Sequence, residues 1–277
     1  MLKELAPDDD GALTSLAASG LAPAVAVQFL RAGCVFSFRG HLVVAGPARD
    51  PIIRSSRIYF PWLPPDIAEE PGLLIGILQS ARRYFGLKDS LVRAAGDPPR
   101  GSGLRLYVAY LDWQTRLGPK GSALQVRRSD SLSHRFVRRM LLDAVMEGYQ
   151  AAGFAIDRRH AARVLRRELA LGRDPDLVAL VAFASGRPVA HATLRLSERD
   201  ELTDAPYVEL VDLSTLMIAE AAGSTQALLD AATLELGEGV TIRGSVTAEV
   251  ESPSWRDLLE RLVSAGWRPA YDLWLTC

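Results

Sequence analysis

Cysteine is almost absent from the chain: only Cys34 and Cys277 occur in 277 residues. Two thiols exclude a disulfide framework and a cysteine-rich zinc site. Histidine is nearly as scarce, and His41, His134, His160 and His191 include no pair at the spacing that puts two metal ligands on one helix face. No metal is therefore expected. No apolar run approaches the roughly 20 residues that a bilayer-spanning helix needs. An export signal is not expected either, because Asp8-Asp9-Asp10 comes early and Pro23 interrupts Leu21–Leu30. The expectation is a soluble, cytoplasmic protein without membrane contact.

What the chain has in quantity is apolar surface, at 48% of its residues, enough for one large core or two ordinary ones. Its formal net charge of −1 hides a strong polarity: segment 1–119 carries +2, segment 120–173 carries +7 and segment 174–277 carries −10. A basic middle beside an acidic final third suits a site that meets an anionic ligand on one side and a cationic one on the other. Gly118, Pro119, Lys120 and Gly121 make the stretch Leu117–Ser122 linker-like. Two domains are expected, residues 1–119 and 120–277.

The second of these alternates clearly between helical and extended signals. Leu124–Arg128 reads as extended, and Ser131 or Ser133 then caps a helix with Phe136, Met140, Val145 and Tyr149 on its apolar face. A second helix runs from Arg158 to Leu171, with Ala162, Leu165 and Leu169 on one face. Leu177–Ala184 and Val189–Leu196 form a hairpin across Ser185-Gly186-Arg187-Pro188, and Tyr207–Leu216 is a third strand. A small-residue turn, Glu220-Ala221-Ala222-Gly223-Ser224-Thr225, opens the helix Gln226–Leu236. Strand Val240–Glu249, a helix from about Ser252 to Ala265 and a last strand, Ala270–Thr276, complete the pattern.

The first half echoes this order. Laying Glu70-Pro71-Gly72 over the turn before Gly223 gives an offset of 151 residues (223 − 72). In that register Ile58-Tyr59-Phe60 falls on the third strand, Gly76-Ile77-Leu78 on Ala227-Leu228-Leu229, and Leu91–Ala95 on Ile242–Val246. With a longer loop upstream, Arg39-Gly40-His41 matches the Gly186 hairpin. Matched element order points to two copies of one fold.

The order of elements, with Asp212-Leu213-Ser214-Thr215, Glu220-Ala221-Ala222-Gly223-Ser224-Thr225 and Ala227-Leu228-Leu229, resembles the GNAT superfamily of acyltransferases. The resemblance covers residues 124–277 well and residues 30–115 faintly. It implies an α/β (α+β) class with two GNAT-like domains, each a mixed, mostly antiparallel central sheet flanked by helices. It also implies that Leu213 and Thr215 hold the pantetheine arm of an acyl-CoA, while Gly223, Ser224, Thr225 and Gln226 receive its pyrophosphate at a helix start, where unpaired N–H groups and the helix dipole favour anions. Glu220 departs from the Gln or Arg of the family pattern, and Thr225 from its Gly or Ala. Trp255 and Leu262 stand at the Asn and Tyr positions, so the usual proton-donating tyrosine is missing. In the first copy Glu69, Glu70 and Leu73-Leu74 flank Gly72, and Pro61, Pro64 and Pro65 interrupt the corresponding strand, so no working cofactor site is expected there.

Acyl transfer to an amine requires a proton acceptor near the reacting centre. Asp212 matches the acidic position of the family and is the first candidate. Glu209 is the second, although an odd separation sends the two to opposite faces unless a bulge intervenes. His191, central in the hairpin's second strand, is the third; each of these also has an ordinary structural reading as a hydrogen-bonded polar group. Glu249 and Glu251 are placed to meet a cationic acceptor, and Ser252 and Ser254 to protonate a leaving thiolate, though Ser-Pro-Ser is also common capping sequence.

The basic span Arg127, Arg128, Arg135, Arg138, Arg139, Arg158, Arg159, Arg163, Arg166 and Arg167 is either a solvated helix face or a polyanion site. Three readings follow. The first is an N-acyltransferase moving an acyl group from acyl-CoA or a carrier-protein thioester to a small-molecule amine. The second, from similarity to Fem-type tandem proteins, is an aminoacyltransferase using charged tRNA through segment 127–167. The third is a non-catalytic GNAT-fold binding protein.

Overall fold

The computed structural model describes residues 1–96, 101–116, 124–249 and 254–276. The expected linker Leu117–Ser122, together with Glu251, Ser252 and Cys277, lies outside the described residues. The chain divides into two compact units: Met1–Ala109 with Arg199–Ala205 and Ala270–Cys277, and Tyr110–Glu198 with Pro206–Pro269.

The first unit contains β1 (Lys3–Glu4), α1 (Asp10–Ala18), α2 (Pro23–Arg31), β2 (Val35–Phe38), β3 (His41–Asp50), β4 (Ser55–Trp62), α3 (Pro65–Glu69), α4 (Pro71–Phe85) and β5 (Ser90–Ala94). Its strands run in the order β1-β2-β3-β4-β5, followed by the last strand of the chain, β12 (Arg268–Thr276). Strands β4 and β5 pair in parallel; the β1–β2, β2–β3, β3–β4 and β5–β12 pairs are antiparallel. Period-two alternation explains the two cores. Phe36, Val43 and Ala45 pack with α4, whereas Val35 and Val44 pack with α1 and α2. Phe36, Phe60, Ile58 and Ile77 are fully buried, and each such side chain stabilises by roughly 1.5–3 kcal/mol.

The second unit takes the later part of β6 (Leu104–Gln114) and then β7 (Gln125–Arg128), α5 (His134–Ala151), α6 (Arg158–Glu168), β8 (Leu177–Ala184), β9 (Arg187–Arg199), β10 (Pro206–Thr215), α7 (Ser224–Leu236), β11 (Thr241–Thr247) and α8 (Ser254–Ser264). Its strand order is β6-β11-β10-β9-β8-β7; β10 and β11 pair in parallel, and β7–β8 and β8–β9 are antiparallel. Val178, Leu180 and Ala182 of β8 face the core under α7, and Leu177, Ala179, Val181 and Phe183 face α5 and α6.

The internal repeat is visible element by element. Strands β4 and β10 begin at Ser55 and Pro206, and β5 and β11 at Ser90 and Thr241, both 151 residues apart (206 − 55 and 241 − 90). Both hairpins turn on two residues of positive φ, Arg39-Gly40 at 51° and 87° and Ser185-Gly186 at 48° and 75°, the left-handed pair of a type I′ turn. The fold class read from the sequence is the one the structure has.

Local differences from the sequence reading have simple causes. Ser133 precedes α5 but its hydroxyl does not cap it; the Asp130 carboxylate instead accepts from the Leu132 and Ser133 amides at 3.1 and 2.9 Å. Those hydrogen bonds hold the Asp130 carboxyl below its ordinary pKa. Helix α6 stops at Glu168, short of Leu171. In the first unit Pro61 lies within β4 rather than ending it, while Pro64-Pro65 launch α3.

Candidate active site in the second unit

Strand β10 changes its alternation half-way. Val208 and Leu210 pack with the α7 core, and Val211 packs with α5 and α6. Glu209 lies on the same side as Val211, where Arg195 approaches it at 3.4 Å and also reaches the Glu168 carbonyl at the end of α6. Regular pleating would then turn Asp212 toward α7. Instead Asp212 meets His191, whose ring packs edge-on against Phe136 of α5, and Leu213 joins the α7 core. Two successive residues, Val211 and Asp212, therefore share a face, as in a β-bulge. Glu209 and Asp212 thereby lie on one face despite their odd separation.

His191 is fully buried. Its Nδ1 is 3.2 Å from Thr193 Oγ1, and its Nε2 is 3.1 Å from Asp212 Oδ2 without the alignment of a hydrogen bond. Ser214 donates its hydroxyl to the same Asp212 oxygen at 2.6 Å. Asp212 keeps 15% of its side chain exposed, so the carboxylate stands between the buried ring and the solvent side of the strand. Burial pushes the Glu209 carboxyl above its ordinary pKa; Arg195 opposes this and Glu198 adds to it.

Strands β10 and β11 pair at Val208↔Ile242 and Glu209↔Arg243, and no further pairing between them occurs among the described residues. Arg243 is held there by two hydrogen bonds to Asp112 of β6, at 2.7 and 3.0 Å, and lies over the Tyr207 ring. The bulged half of β10, with Leu213 and Thr215, thus runs beyond the paired part of the ladder.

That half leads through an exposed turn, where Met217 is fully exposed and Glu220 also faces solvent, into α7. Gly223 has φ 76° and open space where a Cβ would stand. No side chain caps the helix, and its first intrahelical bond runs from the Ala227 amide to the Gly223 carbonyl. The amides of Ser224, Thr225 and Gln226 consequently face off the helix end. Ser224 is buried, its hydroxyl 3.2 Å from that of Thr215, which ties the helix start to the end of β10. Thr225 is exposed, and the Gln226 side chain turns back to Asp230 at 2.7 Å. In the first unit the corresponding helix α4 starts with Pro71, and its N-cap residue is Glu70, where α7 has an open glycine.

Glu249 accepts a hydrogen bond from Ser254 at 2.8 Å. Leu262, at the position of the expected tyrosine, packs against the α7 core, and Trp255 lies half-buried on α8. Among the described residues no group of three His, Cys, Asp or Glu side chains gathers closely enough to hold a metal ion. No helix among them is long and apolar enough to cross a membrane.

The arginine-rich span, Arg135 aside, separates into two sets. Arg127, Arg128, Arg158 and Arg167 pair with Asp130, Glu235, Asp143 and Glu168. Arg138, Arg139, Arg159, Arg163 and Arg166 instead line one pocket of about 780 Å³ between α5 and α6. Ser214, Thr193, Phe136 and Arg195 are contacts that sequence reasoning missed; the Asp212-x-Ser214 and His191-x-Thr193 spacings were the available signals, since residues two apart share a strand face.

No protein-family model and no curated protein matches the sequence. Solved structures do. A GCN5-related N-acetyltransferase from Sphaerobacter thermophilus superposes over 99% of this chain and 94% of its own, with a TM-score of 0.51 and 14% identity. The chain has the GNAT fold. A functionally unknown conserved protein from Staphylococcus epidermidis is similar over 85% of this chain and 89% of its own, at a TM-score of 0.51 and 11% identity. Within the GNAT fold of the second unit, the bulged strand, the parallel neighbour that parts from it and the glycine-led helix are contiguous.

Proposed function

We propose that the chain is an N-acyltransferase whose second unit moves an acyl group from an acyl-CoA or carrier-bound thioester to a small amine. The observation that carries this reading is the junction of β10 and α7: a strand that outruns its parallel partner and ends in a glycine-led helix with three unpaired amides. In this reading the Ser224, Thr225 and Gln226 amides bind the donor's pyrophosphate, with Gly223 allowing close approach. The backbone beside Leu213 and Thr215 holds the pantetheine arm.

Asp212 accepts the proton of the attacking amine, directly or through water. The nitrogen forms its bond to the thioester carbonyl carbon, the C–S bond breaks, and the thiolate leaves with the electron pair and takes a proton from solvent, there being no tyrosine at the usual position. His191 is a positioning residue, approaching the same Asp212 oxygen to which Ser214 donates. Glu209 lies further along the same face, its carboxyl raised above its ordinary pKa by burial.

The test joins binding to turnover. Acetyl-CoA in large excess should raise the melting temperature of the full chain by several degrees, and replacing Gly223 with Leu should abolish that rise. Asp212→Asn should keep the rise yet lower amine acylation by about 10²–10⁴-fold. No stabilisation by acetyl-CoA, longer acyl-CoAs or pantetheine thioesters would sink the proposal.

A further inference from the structure

We infer that the pocket between α5 and α6 is a binding site for a small amphipathic anion, a phosphate or carboxylate group on a hydrocarbon body. The pocket's size, about 780 Å³, lies in the range of small-molecule sites. Its cationic wall follows from helical spacing: Arg159, Ala162, Arg163 and Arg166 succeed one another along one face of α6, and Arg138, Leu141 and Leu142 along one face of α5.

The charge in it is only partly compensated: Asp157 is the one carboxylate among the described lining residues, it caps α6 by accepting from the His160 amide at 2.6 Å, and of the five arginines it attracts Arg163. None of the five lining arginines makes an ion pair within 4.0 Å among the described residues, whereas four of their neighbours in the sequence each have a carboxylate partner. Arg166 bonds its own helix at the Ala162 carbonyl and Arg139 lies by the Phe136 ring, but among the described residues no hydrogen bond holds the guanidinium of Arg138, Arg159 or Arg163. Like charges gathered this closely repel one another, and an anion that bridges their forked donors relieves the repulsion.

The floor selects the rest of the ligand. Five leucines also line the pocket; Leu142 and Leu165 keep part of their apolar surface exposed beside the buried Leu141, Leu169 and Leu171, and a hydrocarbon body would cover that surface where bare phosphate would not. No aromatic side chain lines it, which removes the stacking platform that single-stranded nucleic acid uses. The inference stands independently of acyl transfer.

Calorimetric titration of the full chain tests it with octyl phosphate, inorganic phosphate, octyltrimethylammonium and a short duplex RNA. Octyl phosphate should bind once per chain, at least tenfold more tightly than inorganic phosphate or the ammonium. The double variant Arg138→Gln, Arg163→Gln should weaken it at least tenfold, and Arg167→Gln, whose side chain pairs with Glu168 outside the pocket, should leave it unchanged. Absence of saturable binding up to millimolar octyl phosphate, equal binding by the double variant, or inorganic phosphate or the ammonium binding as tightly as octyl phosphate would each overturn the assignment. So would duplex RNA binding that the double variant loses while octyl phosphate fails to bind.

Discussion

Burial raises the Glu209 carboxyl above its ordinary pKa, outweighing the attraction of Arg195 at 3.4 Å. A carboxyl with a raised folded-state pKa binds its proton more tightly in the folded chain than in the unfolded one. Its contribution to stability is therefore full below the ordinary glutamate value and is lost as pH rises through the higher folded value. Glu209→Gln cannot titrate. Thermal melts of both proteins from acid to neutral pH should show the wild type losing stability relative to the variant as pH rises across that window; a constant difference would mean that Glu209 is not shifted. Asp212 and His191 teach a different lesson at this scale. Both were visible in the sequence as isolated polar residues, but their 3.1 Å approach depends on Val211 and Asp212 sharing a face, and no local residue pattern announces that break in alternation.

Elements set by local chemistry were the legible ones. Strand β8 has the ends that its apolar run and flanking turn dictate, and the glycine turn before α7 was readable because positive φ favours glycine. The arginine groove was half legible: spacing alone aligns Arg159, Arg163 and Arg166, but the arrival of Arg138 and Arg139 requires α5 to pack beside α6. Both type I′ hairpins place a non-glycine residue first, at φ 51° for Arg39 and 48° for Ser185. Asparagine adopts that conformation more readily than serine does. Ser185→Asn, exposed on its turn, should stabilise the chain by about 0.5 kcal/mol in denaturant unfolding, and a loss of stability would show that the serine hydroxyl has a role in the turn.

At the scale of the whole molecule, the repeat of 151 residues was legible because it recurs in order and spacing, whereas the membership of the terminal strands was not, since long-range pairing leaves no local mark. Arg93 of β5 illustrates it: its partners are Asp200, Glu201 and the face of Tyr271, all distant in sequence yet within the first unit. The second unit likewise draws on residues before 117. Leu111 and Trp113 enter its core, Trp113 stacks on Trp267, and Thr115 bonds to the Val240 amide and Gly237 carbonyl. A fragment of residues 104–269 should therefore melt cooperatively by circular dichroism, while residues 120–269 should not. Equal melting of the two would show β6 to be dispensable.

The placement of β12 and β6 also bears on how such a chain can change over generations. Pairing of Leu91 to Ala94 with Leu275 to Asp272 ties the earlier half of the chain to residues that follow the second unit, and Asp112 and Trp113 tie the later half to the earlier. Deleting either half would remove a strand from the sheet encoded by the other. A first unit with carboxylates at its helix start, and no ligand of its own, would still be retained while β6, which begins in it, supplies Leu111 and Trp113 to the core of the second.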